Sequence, residues 1–439
     1  MPQITLYEFS KPVKLPFSQK KLRAFKTYLD EIWHNRLWFD ENEKNGSQPF
    51  LQFDGTTIRA KNYVGYLYFE DLEIHILPKI FSKQRKPDKN LIFRHLAYYL
   101  SYSDKLHFPF FLAENNSFTT DKLQDFWLFV FVSLTEQCLN AEPFRRFEEI
   151  AEESTYLRGR IDMPEYINQS LSKGEWQQIH TVHEPFVYDN LFNRIIKYTL
   201  EKVRQITSEK LIEDKLNQLD FILNEVSNQF CTIQDCQKIH LNQGKEKHRV
   251  LLDFCKLILL NEQINNDLGT NNNFTFLFPM EQVFEDFVFG FIKEHFPELE
   301  AQSQSTDYLA QTKVEGKSVF QVRNDIFLPS QNKIIDTKYK LRTFPFENEK
   351  TGVDQSDMYQ MLSYGIARTC QQLILLYPAQ FNEKCIEQKQ SEFIIQSELL
   401  GNQTMSVQTI DVDICVNRLR DMKTELDQKI YRQIKKSLM

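Results

Sequence analysis

Two aspartates and a lysine near residue 330 have the types and spacing of a metal-dependent hydrolytic site. Asp336 and Lys338 stand two apart in a stretch that predicts a strand, so they share one sheet face. A preceding strand ends at residue 328, and the turn formers at 329–332 predict a hairpin. Counting back across that turn places Asp325 opposite Asp336. The predicted pairs are 328 with 333, 326 with 335 and 325 with 336.

Facing carboxylates in a sheet repel each other and require a compensating cation. Lys338 is one candidate, and a divalent metal is the better one. Mg²⁺ binds one or two carboxylates and keeps waters and phosphate oxygens in its other positions. Such a metal activates water and stabilises charge on a phosphoryl group. Lys338 beside it can orient the attacking water and neutralise the transition state. The hairpin therefore predicts phosphodiester hydrolysis.

A helix ahead of the hairpin supplies a further acidic residue. Apolar residues at helical spacing predict a helix over residues 279–296. Glu285 falls at the edge of its apolar stripe, whereas Asp286 is expected to face solvent. Glu285 can therefore look inward towards a sheet.

These residues resemble the PD-(D/E)xK nuclease motif, with Asp325 followed by Asp336-Thr337-Lys338 and with Glu285 on the first helix. Asn324 stands where the motif name has Pro, a position that varies freely in that superfamily. The resemblance implies that Asp325 and Asp336 bind Mg²⁺, with Mn²⁺ as a substitute. It also implies ligation by Glu285 and by the carbonyl of Thr337.

The following helix, expected over residues 354–369, carries Gln360 and Tyr364. This pair resembles the QxxxY element of RecB-type nucleases, and a spacing of four puts both on one helix face. In that family the two residues position the site and the DNA.

From about residue 60 to 365, and most strongly in the last third, the chain resembles the McrC family, nuclease subunits of modified-cytosine-dependent restriction systems. The resemblance implies DNA containing methylated cytosine as substrate and a McrB-like AAA+ GTPase hexamer as partner, which the N-terminal part binds and stimulates. The chain has no phosphate-binding loop of its own, since Gln311 replaces the first Gly before Gly316-Lys-Ser318. The segments that carry the resemblance are 74–80, 157–162, 193–197, 283–288, 323–326, 335–340 and 357–364.

Other interpretations stay open. An Asp–Lys pair on a solvated sheet face would contribute under about 1 kcal/mol and no chemistry. The chain could be a non-catalytic regulatory scaffold of an AAA+ GTPase, or an autonomous RecB-like DNA exonuclease. His180 and His183 suggest a metal pair, but no third ligand follows by spacing, so ordinary loop histidines are favoured.

Composition narrows the class of protein. The 439 residues are 41% hydrophobic and 26% charged, typical of a globular protein, and the net charge of −7 argues against a globally basic nucleic-acid surface. Seven cysteines without a CxxC motif argue against a disulfide framework. No apolar run reaches the length of a membrane span, and no signal peptide is evident. We expect a cytoplasmic protein that binds no membrane.

The elements predict an α+β multidomain protein. Residues 1–120 are expected to form a β-rich, partner-binding domain with a hairpin over residues 63–77, and residues 121–272 a helical middle region that ends in a linker at 265–273. Residues 273–439 are expected to form a PD-(D/E)xK restriction-endonuclease-like α/β domain, in the order helix, strand, strand, helix, strand.

Overall fold

The structure is a computed structural model. It describes residues 3–35, 47–83, 88–103, 118–268, 274–313, 316–342, 349–381, 390–395 and 404–438. The chain divides into two compact units. Residues 1–126 and 264–439 together form one, called the composite unit, and residues 127–263 form the other, called the inserted unit. The predicted boundaries at 120 and 272 stay predictions.

The N-terminal part of the composite unit alternates strands with two helices. Its elements are β1 Gln3–Tyr7, β2 Val13–Lys14, α1 Gln19–His34, β3 Leu51–Asp54, β4 Thr57–Ala60, β5 Tyr63–Phe69, β6 Leu72–Leu77 and α2 Lys89–Ser101. The hairpin predicted over residues 63–77 is confirmed as β5 and β6. Helix α1, which begins after the Ser18 cap, was not predicted.

The inserted unit is helical with small sheets. Its elements, including two helices that extend into the composite unit, are α3 Leu123–Ala141, β7 Arg146–Phe147, β8 Ile150–Ser154, β9 Arg160–Ile161, β10 Ile179–His183, β11 Phe186–Val187, α4 Leu191–Ile206, α5 Lys210–Ile222, α6 Ile233–Gln237 and α7 Glu246–Leu268. Because α7 runs to Leu268, the first part of the predicted linker is helix. Residues 269–273 lie outside the described residues.

The C-terminal part begins with a strand and ends with a helix. Its elements are β12 Phe274–Pro279, α8 Met280–His295, β13 Gln302–Gln311, β14 Ser318–Leu328, β15 Lys333–Thr337, α9 Gln355–Arg368, β16 Gln372–Pro378, β17 Gln390–Ile395, β18 Met405–Val412 and α10 Met422–Leu438. In the described part of the chain, six of these strands form one sheet in the order β13-β14-β15-β16-β18-β17. Strand β13 was not predicted.

Strand β12 joins the N-terminal sheet, whose order is β1-β6-β5-β12. It pairs antiparallel with β5, and β1 pairs parallel with β6. Strand β5 is almost continuously apolar, whereas β6 contains Glu73 and His75 between apolar residues, and nearly every residue of both strands is buried, as expected of strands covered on both faces. Residues far apart in the chain thus share one sheet. The mixed α/β architecture with a β-rich N-terminus agrees with the sequence prediction.

Two helices flank the six-stranded sheet and position the candidate site. Helix α8 buries Phe284, Phe287 and Phe291 at the predicted spacing. It approaches the end of α2 so closely that a Cβ on Gly290 would lie 2.0 Å from the carbonyl oxygen of Tyr102, so a side chain there would force the helices apart.

Helix α9 packs on β15 and β16 through an apolar cluster that includes Ile334, Met361 and Leu375. The packing holds one face of α9 over the strand that carries Asp336. No helix in the described ranges has the length and apolarity needed to cross a membrane.

Candidate active site

Two of the three predicted hairpin pairs, those nearer the turn, are confirmed as backbone pairs of the ladder. Leu328 pairs with Lys333, and Ile326 pairs with Ile335. Beyond that point the carboxylate of Asp325 reaches across to the neighbouring strand. Its Oδ2 accepts hydrogen bonds from the backbone N–H and the Oγ1 of Thr337, both at 2.7 Å. The side chain thereby takes the place of a backbone carbonyl in the ladder, and Asp325 is fixed beside Asp336.

Asp336 is the most deeply buried acidic residue of the set, with no solvent exposure. Its Oδ2 is in contact with the ammonium of Lys338, whereas its Oδ1 has no hydrogen-bond partner among the described residues. Burial, together with the negative charge of Asp325, raises the pKa of Asp336 to about 7, although Lys338 acts in the opposite direction. An ionised carboxylate in this position needs a cation, so its chemistry fits a metal ligand.

The ammonium of Lys338 bridges the sheet and α9. Its Nζ lies 2.5 Å from Oδ2 of Asp336 and donates to Oε1 of Gln360 at 2.8 Å. Gln360 in turn donates from Nε2 to the hydroxyl oxygen of Tyr364 at 2.5 Å. Burial raises the pKa of Tyr364, and the charge on Asp336 adds to this effect, so its hydroxyl stays protonated. Gln360 and Tyr364 thus form a chain of hydrogen bonds that ends at Lys338.

Glu285 is half-buried on α8, as its place at the edge of the apolar stripe predicted. Its Oε1 accepts a hydrogen bond from the side-chain amide of Gln304 on β13. Asp286 is also half-buried and accepts a hydrogen bond from Ser103, so the expectation that it faces solvent was wrong. Within the described ranges no three His, Cys, Asp or Glu side chains form a group that could hold a metal ion by themselves.

The residues present nevertheless suit Mg²⁺. This ion binds to one or two carboxylates and takes its remaining oxygens from water and substrate phosphate. Asp325 and Asp336 supply two carboxylates, and the buried Oδ1 of Asp336 has no hydrogen-bond partner among the described residues. Ligation by Glu285 and by the carbonyl of Thr337 stays a prediction. What the structure adds for Thr337 is the hydrogen bonding of its N–H and hydroxyl to Asp325.

Three site features were missed by sequence reasoning. They are Gln304, Lys340 and Asp357, which were not singled out as site residues. Lys340 Nζ donates to Asp354 at 2.7 Å and to both carboxylate oxygens of Asp357 at 3.0 Å, which ties the chain after Lys338 to the first turn of α9. The Lys340–Asp357 spacing across a loop gave no signal, because only the folded chain brings the two together.

The histidines at 180 and 183 lie on the small strand β10, within the inserted unit. Nδ1 of His183 is 3.9 Å from Oε1 of Glu152. In the described part of the chain the two histidines do not belong to any group of three or more side chains that could bind a metal ion. They thus differ from the expected loop histidines in lying on a strand.

A family model described as McrBC 5-methylcytosine restriction system component matches residues 58–378, well over half of the chain. The chain belongs to the McrBC family. The family resemblance seen in the sequence is therefore confirmed. A search of curated proteins found no match.

Two solved structures share the fold of this McrBC-family chain. One is a refined half-complex from a tetradecameric assembly of Thermococcus gammatolerans McrB AAA+ hexamers with bound McrC. The similarity has a TM-score of 0.68 at 16% identity, covering 99% of this chain and 100% of that chain. The other is the cryo-EM structure of the Thermococcus gammatolerans McrBC complex, with a TM-score of 0.50 at 19% identity over 67% of this chain and 88% of that chain.

Proposed function

We propose that this McrBC-family chain is the Mg²⁺-dependent DNA endonuclease subunit of a GTP-dependent, modified-cytosine-specific restriction complex. Its C-terminal part acts as a PD-(D/E)xK nuclease domain. The observation that carries the proposal is the buried Asp336, which lies beside Asp325, has its Oδ2 2.5 Å from the Lys338 ammonium, and has no hydrogen-bond partner for its Oδ1 among the described residues. A purely structural carboxylate in this position would leave its buried Oδ1 unsatisfied, which costs free energy.

The roles of the residues follow from their contacts. Asp325 and Asp336 would hold Mg²⁺, which when bound activates water and stabilises negative charge on the phosphoryl group. Lys338 carries its positive charge next to the same carboxylate and can orient the attacking water. Gln360 keeps the Lys338 ammonium in place, and Tyr364 supports Gln360. Thr337 holds Asp325 in its ligand position.

The partner proposed is a McrB-like AAA+ GTPase, as in the assemblies that share the fold. Exposed large apolar side chains concentrate in residues 147–186 of the inserted unit, here called the apolar segment. Clustered exposed apolar side chains are typical of protein interaction sites. Among the described residues before 123, Phe9 is the one large apolar side chain that is exposed. The exposed side chains are Phe147, Ile150, Tyr156, Leu157, Ile161, Met163, Ile167, Leu171, Trp176 and Phe186.

We therefore extend the proposed partner-binding surface from the N-terminal part to the apolar segment. Two of its rings, Phe147 and Phe186, pack on each other with centroids 5.0 Å apart while remaining more than half exposed. Stimulation of the partner's GTPase through this surface belongs to the same proposal.

Plasmid cleavage tests the nuclease proposal. Purified chain, Mg²⁺, the partner GTPase and GTP are combined with methylated or unmethylated plasmid. We expect Asp336→Ala to abolish cleavage, because the metal loses its buried ligand, while the circular dichroism spectrum stays unchanged. Asp214→Ala, which alters an exposed carboxylate in the inserted unit, serves as the matched control and should cleave like wild type. Undiminished cleavage by Asp336→Ala would overturn the proposal.

The same assay separates the two alternatives. A regulatory scaffold predicts no cleavage by any version but faster GTP turnover with both wild type and Asp336→Ala. An autonomous RecB-like exonuclease predicts cleavage of linear DNA by wild type without partner or GTP. Cleavage that requires partner, GTP and Asp336 supports the restriction-subunit proposal.

A further inference from the structure

Gln304 adopts a backbone conformation that is unusual for a non-glycine residue in a strand. Its φ is 54°, in the left-handed region, although it lies inside β13. Such conformations persist in proteins where the surrounding structure holds them, and they concentrate at functional sites. The position of Gln304 in the sheet therefore matters.

The strand register puts Gln304 opposite Asp325. Backbone pairs flank the two residues on both sides, Ser303 with Ile326 and Ser305 with Asn324. Gln304 thus lies next to the strand position of a proposed metal ligand. A left-handed residue sends its side chain in a different direction from its extended neighbours, so this one need not follow the alternation of the strand.

The side chain of Gln304 leaves β13 towards α8. Its amide Nε2 donates a hydrogen bond to Oε1 of Glu285, and both side chains are half-buried. One residue therefore connects the helix that carries Glu285 to the strand position beside Asp325.

We propose that Gln304 is a positioning residue that orients Glu285 towards the metal held by Asp325 and Asp336. This inference rests on the proposed function. Hydrogen-bonded partners of metal ligands fix the ligand's direction, and their loss commonly weakens metal binding by about 10- to 100-fold. The left-handed backbone at residue 304 is what allows the amide to reach Glu285.

Titration calorimetry of Mn²⁺ into the metal-free full-length chain, alongside thermal unfolding, tests the inference. Gln304→Gly removes the amide but accepts a positive φ without strain. We expect its melting temperature to equal or exceed that of wild type while its Mn²⁺ affinity falls about tenfold. Gln311→Gly, at the exposed end of the same strand, is the matched control and should bind Mn²⁺ like wild type. Glu285→Gln combined with Gln304→Gly should bind no more weakly than Glu285→Gln alone.

The outcomes separate this inference from the proposed function. Wild type that binds no Mn²⁺, or Asp336→Ala that binds it normally, overturns the proposed function and the inference together. Binding that is lost in Asp336→Ala but unchanged in Gln304→Gly overturns the inference alone. A further loss when Gln304→Gly is added to Glu285→Gln also overturns it, since Gln304 would then act independently of Glu285.

Discussion

At the scale of single residues, the buried carboxylate of Glu8 should contribute to the dependence of stability on pH. Glu8 is 3% exposed and accepts hydrogen bonds from the backbone N–H of Lys79 and the hydroxyl of Tyr339. Burial raises its pKa to about 7, against the opposing charge of Lys79 and with a further increase from Glu281. The folded chain therefore keeps the Glu8 proton to a higher pH than the unfolded chain does.

Glu8→Gln tests this dependence. Because the folded pKa lies above the unfolded value near 4.5, wild type loses stability as pH rises from about 4.5 to 7, whereas the variant has no such proton to lose. The free energy of unfolding of the variant minus that of wild type should rise by about 3 kcal/mol between pH 4 and pH 8. Urea unfolding across this range measures it. Parallel pH curves for the two proteins would contradict the prediction.

At the scale of elements, the ion pairs of Lys340 should hold the start of α9 in place. Asp357 is buried and one turn before Gln360, which contacts Lys338. Lys340→Met leaves the Asp357 carboxylate without its ammonium partner. Since Lys340 is itself about half exposed, we expect a loss of only about 1 kcal/mol in the free energy of unfolding, together with a severalfold lower cleavage rate.

A surface pair provides the control for Lys340→Met. Lys238 pairs with Asp235 three residues away on the surface of the inserted unit. Lys238→Met should change stability by less than about 0.5 kcal/mol and leave cleavage unaltered. Equal effects of the two substitutions on cleavage would show that Lys340 has no particular role in placing α9.

At the scale of the whole molecule, the two compact units suggest a division of labour. The composite unit contains the candidate active site, and the inserted unit contains the apolar segment. Trp176 is 70% exposed, so Trp176→Ser should leave the fold intact. We expect its affinity for the partner GTPase to fall about tenfold or more, as for an aromatic anchor, with a matching loss of GTPase stimulation.

Binding of fluorescently labelled chain to the partner measures this effect. Phe221→Ser is the matched control, since Phe221 is a 77% exposed aromatic residue of the inserted unit outside the apolar segment. It should bind within about twofold of wild type. Normal partner affinity in Trp176→Ser would exclude Trp176 from the interface, and reduced affinity in both variants would point to a general loss of the unit's structure.

Local features of this chain were determined by the sequence alone. The turn at residues 329–332 dictates the β14–β15 register, because a hairpin register depends on loop length. The apolar spacing in α8 and the four-residue separation of Gln360 and Tyr364 decided which side chains share a helix face. Each of these relations involves residues close together in the chain, so it can be predicted without knowing the rest of the fold.

Relations between distant segments were decided by the tertiary structure. Strand β12 pairs with β5, and Gln304 contacts Glu285, although no sequence pattern connects these residues. The complete burial of Asp336 likewise depends on segments that lie far from it in the chain. Such contacts depend on how the whole chain buries its apolar surface. They also depend on which hydrogen-bond partners remain for the polar groups that are buried with it. The sequence indicated the candidate site residues, and packing determined the surroundings of each.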